Sequence, residues 1–259
     1  RDSNSMMVVK RNIRWYVAGA LALFFLAAYL LPLAARPMMR PDEFRYAEIP
    51  REMLVSGDWT VPRFVGFRYF EKPVLGYQLT ALSMQCFGEN AFAVRLPSAL
   101  AVLLSGMMLY FLLARKNRDP WLPGLATAIY FAFGLVFGVG TFAVLDSQLT
   151  AALTLCIGSF YLAYDTPDWR RRTAWLAAAG LFAGAAFLLK GFLAFAVPAV
   201  TVAPFLLWRR EWKKLFAYPW LPLVLAVAVA APWAWAIWHA EPDFWRYFFI
   251  EEHWKRFTS

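Results

Sequence analysis

A chain of 259 residues that is 61% hydrophobic and 19% aromatic, with a mean hydropathy of +0.48, is too apolar for an ordinary soluble domain, where about 45–50% of residues are apolar. Its formal charge of +9 invites a nucleic-acid reading, but the basic residues sit in short clusters between apolar runs, which favours membrane topology instead. The only cysteines, Cys86 and Cys156, are far apart in the sequence and imply no disulfide framework or metal cage.

The first apolar run, 15–35, carries no internal charge until its end and follows Lys10, Arg11 and Arg14. It exceeds the roughly 7–15 residues of a signal-peptide core and is read as an uncleaved span. A long mixed-charge stretch, 36–95, comes next, interrupted by Pro41, Pro50, Pro62 and Pro73. Within it, 73–87 is apolar but short of the roughly 20 residues a span needs, and Gly88 supplies a stop signal. This segment is predicted to be an interfacial helix on the outer surface. Six further apolar runs follow, at 96–114, 121–142, 147–164, 174–189, 192–207 and 217–238, with aromatic residues such as Trp121, Tyr164 and Trp208 at their ends. Gly134 with Gly138, and Gly180 with Gly184, have the spacing of close helix contacts. The expectation is one all-α integral membrane domain, a bundle of about seven spans over 1–259, whose first outer loop, 36–95, carries interfacial helices.

Clusters of Lys and Arg at 10–14, 115–118, 170–172 and 209–214 fall in alternate loops. Placing them in the cytoplasm gives that face 14 basic and 5 acidic residues against 12 of each outside, so the net charge lies inside. The same topology gathers Asp42, Glu43, Glu48, Glu52, Glu71, Asp146, Lys190, Glu251, Glu252 and His253 at the outer face. Carboxylates near hydrocarbon are costly unless water, cations or partners reach them, so a polar cavity in the outer leaflet is the economical reading. Its visitor would be amphiphilic. Arg36, Arg40, Arg45, Arg68 and Lys72 can bond a phosphate at headgroup depth, or anchor the chain to bulk anionic lipid.

Asp42 and Glu43 are adjacent, so on a helix they point about 100° apart and cannot form a facing acid pair. They have different tasks, or both simply favour the start of a helix. Asp146, isolated in "VLDSQLT", reads either as the N-cap of the fourth span or as a site acid. Lys190, between two apolar runs, snorkels to headgroups or binds phosphate. His253 with Glu251 or Glu71 has the chemistry of a divalent-metal site, although no close ligand spacing demands one. There is no phosphate-loop pattern, dinucleotide glycine fingerprint or nucleophile elbow, so no nucleotide cofactor is expected.

The stretches "RPDEFRYAEIPREMLVSGDWTVPRF", "YFEKPVLGYQL" and "FGENAFAVRLPSAL" resemble bacterial lipid A aminoarabinose (4-amino-4-deoxy-L-arabinose) transferases. "LLKGFLAFAVP" and "VLDSQLT" resemble the wider family of polyprenyl-phosphate-sugar transferases with the GT-C fold, which includes protein O-mannosyltransferases. The resemblance implies an inner-membrane enzyme that moves the amino sugar from undecaprenyl phosphate to a lipid A phosphate at the periplasmic face, giving resistance to polymyxin and other cationic antimicrobial peptides. It implies Asp42 as the key catalytic carboxylate and Asp146 as a second site acid. Arg45, Tyr69 and Lys72 would bind the donor phosphate, Glu43 and Lys190 would add substrate contacts, and Glu71 with His253 would hold a divalent metal. Such enzymes are longer, with more spans and a further periplasmic domain, so the chain is expected to be the N-terminal half of one. Gln78 stands where an aromatic residue is expected. The alternatives are transfer to protein hydroxyls, or a non-enzymatic lipid-binding or transport protein using the same cavity.

Overall fold

A computed structural model describes residues 2–117 and 119–255, with side chains described for 12–117 and 119–252. The chain is helical nearly throughout. Helix α1 (Asp2–Phe25) runs on through a π turn (Leu26–Leu30) and a 3-10 turn (Leu31–Ala34), in which Pro32 lacks the donor that would continue an α-helix. Beyond it the chain turns into α2 (Asp42–Ser56), whose first turn holds Asp42 and Glu43 where the helix dipole favours acids, and which stops at Gly57 with φ +71°.

A two-stranded antiparallel hairpin follows, β1 (Arg63–Phe64) and β2 (Phe67–Arg68), turned by Val65 and Gly66, both at positive φ. It is tied to the far end of the chain. The Trp233 indole donates to the Thr60 carbonyl at 3.0 Å, and Glu241 takes Arg68 at 2.9 Å and Arg63 at 3.5 Å. The 73–87 segment forms α3 (Leu75–Phe87), ended by Gly88, and packs against α2 and the next helix, α4 (Ala91–Lys116). Gly76 is required there, because a Cβ would collide with Leu145 and meet the Gln148 side chain at 3.3 Å. Gln78 donates its amide to the Trp59 carbonyl at 2.9 Å, which gives this departure from the family pattern a loop-bracing place.

Helix α4 is capped by Asn90, whose side chain accepts the Ala93 N–H, and Arg115 and Lys116 sit at its negative end. The expected single span over 121–142 is two helices, α5 (Leu122–Ala132) and α6 (Gly134–Thr141), bent by 64°. Phe133 between them takes extended backbone angles, and Gly134, Gly138 and Gly140 are weak helix formers. The break leaves carbonyls of α5 without helical partners, and the buried Tyr29 hydroxyl donates to the Phe131 carbonyl at 2.7 Å. Glycine also lets the second half pack closely: a Cβ on Gly140 would come within 2.7 Å of Tyr29 and Val102.

The remaining helices are α7 (Leu145–Asp165), α8 (Trp169–Lys190), α9 (Leu193–Trp208), α10 (Trp212–Ala217), α11 (Trp220–Ala240) and the short α12 (Phe244–Arg246), which passes into a π-helix at Tyr247–Lys255. Among the described residues four helical segments are long and apolar enough to cross a membrane: Asn12–Ala34, Ala91–Lys116, Trp169–Lys190 and Trp212–Ala240. The bent α5–α6 pair makes a fifth if counted as one span. Helix α7 has 21 residues but is diluted by Ser147, Gln148, Thr150, Thr154 and Ser159, and α9 has only 16. From Asp146 to Asp165 α7 extends about 28 Å, close to the hydrocarbon thickness of about 30 Å. At one end Asp165 pairs with Lys116 at 2.5 Å, and at the other Asp146 pairs with Lys190 at 2.6 Å.

Gly180 and Gly184 on α8 do what their spacing predicts. A Cβ on Gly180 would lie 2.7 Å from the Pro222 backbone of α11, and one on Gly184 would lie 2.6 Å from Val229. Gly134 and Gly138 have nothing within 4 Å, so the same motif does no packing there. Gly180→Val should therefore destabilise the α8–α11 contact by about 1–3 kcal/mol, seen as a lower thermal midpoint in detergent. Gly134→Ala should leave that midpoint unchanged or raise it. Equal behaviour of the two variants would refute the packing assignment.

Candidate active site

The site is built where the N-terminal ends of α2 and α7 and the C-terminal end of α8 approach the residues after β2. Asp42 is exposed in the first turn of α2. One turn along, Arg45 donates to the Tyr69 hydroxyl at 3.2 Å and its guanidinium lies 5.7 Å from the Tyr69 ring centre. Tyr69 donates to Glu71 at 2.6 Å, and Arg45 stands 4.0 Å from the same carboxylate oxygen. Lys72 donates to the Glu71 carbonyl at 3.1 Å and pairs with Glu252 at 3.7 Å. Asp146 is not the N-cap of α7. Val144 holds that position, and Asp146, in the first turn, meets Lys190 from the end of α8.

Tyr46 joins these groups, and sequence reasoning passed over it. Burial pushes its phenol up to about 12, with Asp146, Asp42 and Glu71 adding to the rise and Arg45 opposing it. Four of the expected site residues thus bear on one half-buried hydroxyl, which stays protonated at neutral pH. Burial, then the bond to Glu71, likewise raises the Tyr69 phenol. The Tyr46 and Tyr69 rings lie 6.0 and 6.3 Å from Tyr77, stacked on it and edge-on respectively. Beneath them Ile49, Met53, Val61 and Val74 pack with Leu145, Leu149 and Trp233. The floor is rigid and apolar, and the charges lie above it.

Glu43 is placed differently from the expected substrate contact. It is fully buried, and its two oxygens take bonds from Arg95, Arg36 and the Met39 and Ala143 N–H groups, leaving no face for a ligand. Those bonds outweigh the cost of burial and hold its carboxyl at about 2, so Glu43 is ionised at any working pH. Arg36, expected to bond a phosphate or to anchor to bulk anionic lipid, is committed to Glu43, to the Thr141 carbonyl at 2.7 Å and to the Phe142 ring. Arg68 is likewise taken by Glu241. Arg95 was missed altogether, although its isolation in "FAVRLPS" was a signal: a lone charge four residues into an apolar helix needs an inward partner.

The expected Glu71–His253 metal pair lies only partly within the described residues. The His253 side chain lies outside the described residues, and Glu71 is engaged by Tyr69 and Arg45. Among the described residues no group of three or more His, Cys, Asp or Glu side chains could hold a metal ion.

Along α7 from Asp146 an apolar groove of about 580 Å³ opens, lined by Thr150, Leu153, Ile157 and Tyr161 with Leu112 of α4 and Val197 and Phe205 of α9. It begins one helical turn from Asp146 and runs toward the opposite end of the bundle. A charged head site with an apolar slot below it suits a phosphate on a long hydrocarbon chain.

Residues 15–248 match the family model of dolichyl-phosphate-mannose-protein mannosyltransferases. The chain belongs to that family. Among curated relatives, it is 46% identical over 242 residues to the undecaprenyl phosphate-alpha-4-amino-4-deoxy-L-arabinose arabinosyl transferase of Yersinia pestis (strain Pestoides F), covering 93% of this chain and 44% of the relative. The protein of the same name from Shewanella sediminis is 42% identical over 245 residues, with 94% and 44% covered. Among solved structures, the crystal structure of ArnT from Cupriavidus metallidurans bound to undecaprenyl phosphate superposes with a TM-score of 0.83 at 29% identity, over 93% of this chain and 45% of that one. The chain is an integral membrane protein with the GT-C fold of that transferase. It spans less than half the length of the curated relatives it matches.

Proposed function

We propose that this chain carries the donor site of a glycosyltransferase that moves 4-amino-4-deoxy-L-arabinose from undecaprenyl phosphate to a phosphate of lipid A. The observation that carries the reading is the joining of Arg45, Tyr69 and Glu71, with Lys72 beside them, at the end of the bundle where Asp146 pairs with Lys190 and Asp42 opens α2. The names of the relatives and the undecaprenyl phosphate bound in the similar ArnT supply the sugar and its carrier. The distribution of Lys and Arg supports an inner-membrane protein with this end facing the periplasm.

In the reaction, the bond between the anomeric carbon and the carrier-phosphate oxygen breaks and the electron pair leaves with that oxygen. An oxygen of the acceptor phosphate donates the pair that forms the new bond. Arg45 and Lys72 stabilise the charge that grows on the departing phosphate, and Tyr69, held by Arg45 and Glu71, fixes the guanidinium. A phosphate acceptor is already anionic near neutral pH, so no strong base is needed. Asp42 orients the acceptor or the sugar's ammonium instead, Asp146 and Lys190 guard the mouth of the apolar groove, and the groove takes the isoprenoid tail. The family model favours a second reading, transfer to a protein hydroxyl, which would require Asp42 to act as a base.

Mass spectrometry separates these. Lipid A from a donor-proficient strain should carry the amino-sugar mass when the full-length gene is present and lose it on deletion. Unmodified lipid A with newly glycosylated protein would favour the hydroxyl acceptor, and no change in either would reject both readings.

A further inference from the structure

Among the described residues Arg95 is the largest fully buried side chain, and all five of its N–H donors are used. Nε and Nη2 form a fork on Glu43 at 2.6 and 2.8 Å, while the other three reach the carbonyls of Leu33 and Arg36, from Nη1, and of Pro37, from Nη2, at 2.6–3.0 Å. The Glu43 carboxylate in turn accepts the Ala143 N–H at 3.1 Å, and Arg36 closes the ring by donating to both Glu43 and the Thr141 carbonyl. One carboxylate therefore binds four pieces of chain: the end of the first span, the start of α2, α4, and the 141–144 connection into α7. Asp42 is next to Glu43, and Asp146 lies three residues beyond Ala143.

We infer that Glu43 and Arg95 are positioning residues that set the separation of Asp42 and Asp146 without touching substrate. The inference rests on the transfer reaction proposed above. The spacing between Asp42, which orients a reactant, and Asp146, at the mouth of the groove that takes the carrier, governs the alignment of the reacting atoms, and a displacement of about 1 Å can cost about 10²-fold in rate. Affinity for the carrier phosphate should change little, because among the described residues Arg45 and Tyr69 are held by each other and by Glu71 rather than by Glu43 or Arg95. The charge alone does not suffice: the planar fork is what holds Glu43 in one orientation, and a lysine cannot reproduce it.

The test uses the full-length protein with Arg95→Lys, and with the paired Glu43→Leu/Arg95→Met change, which removes both ends of the buried ion pair and leaves neither charge orphaned. For each, kcat, the donor KM and the affinity for undecaprenyl phosphate are measured. Nitroxides at Phe44 and Thr150, both exposed, report the α2–α7 distance independently of turnover. The expected result is a fall in kcat of about 10²-fold with undecaprenyl phosphate affinity within about threefold, and a broadened distance distribution. Normal kcat, or a distance distribution as narrow as that of the wild type, overturns the inference. If Arg95→Lys does not fold, the paired variant decides alone. A wild type with no transfer activity would reject the proposed reaction, while the nitroxide distances would still judge the positioning role.

Discussion

Asp42→Ala, made in the full-length protein beside Asp42→Asn, should lower sugar transfer to lipid A by about 10²–10³-fold, the usual cost of removing one preorganised electrostatic partner of a transition state. The comparison matters because Asp42 stands at the start of α2, where a carboxylate also favours the helix dipole. Helix support alone is worth about 0.3–1 kcal/mol of stability and would leave kcat close to normal. Asparagine keeps the size and the acceptor oxygen but loses the charge. If the charge meets the sugar's ammonium, asparagine should fall as far as alanine. If Asp42 only accepts a hydrogen bond from the acceptor, asparagine should retain most of the rate. Near-normal transfer by both variants would remove Asp42 from the catalytic set.

Lys72→Ala should lower kcat/KM for the donor by about 10–100-fold, raising KM and lowering kcat together, since a bond to a charged partner is worth about 1.5–3 kcal/mol and here strengthens as the phosphate departs. Lys72 is mostly buried beside Glu252 and the Glu71 carbonyl, so its ammonium is held in place before a ligand arrives. Arg45→Lys should act in the same direction, because the guanidinium that meets Tyr69 and Glu71 at once has no lysine equivalent. An unchanged kcat/KM for the donor in Lys72→Ala would take the residue out of the phosphate site.

The parts of this site that could be read from the sequence were those marked by contrast. Asp146 and Lys190 stand out because each is a charge at the end of an apolar run, and the structure joins them in one ion pair. Arg45, Tyr69, Glu71 and Lys72 come from a loop dense in polar residues, and they too meet. Glu43 could not be separated from Asp42 in the same way, since adjacency on a helix says only that the two diverge, not which one turns inward. Arg95 carries the opposite lesson, for its partner is 52 positions away and no local pattern names it. Hydropathy also hid the bend between α5 and α6, because apolarity is blind to backbone direction and only the glycines hint at it. Tyr46 carries no charge or spacing that marks it in the sequence, and only the folded chain brings its phenol under the influence of Asp146, Arg45, Asp42 and Glu71.

The stitching of the hairpin to α11 and its end has a consequence for biosynthesis. Thr60 and Trp233 are separated by 173 positions, and Arg63 and Arg68 wait for Glu241, which is made later still. At about 5–20 residues per second, the nascent chain spends on the order of 10–30 s with this segment outside the bilayer and its anchor not yet synthesised. During that interval the ribosome is still delivering helices, and the loop bearing Asp42 and Lys72 has no fixed backstop. The charged pocket on that loop is thus completed late, when α11 slots in.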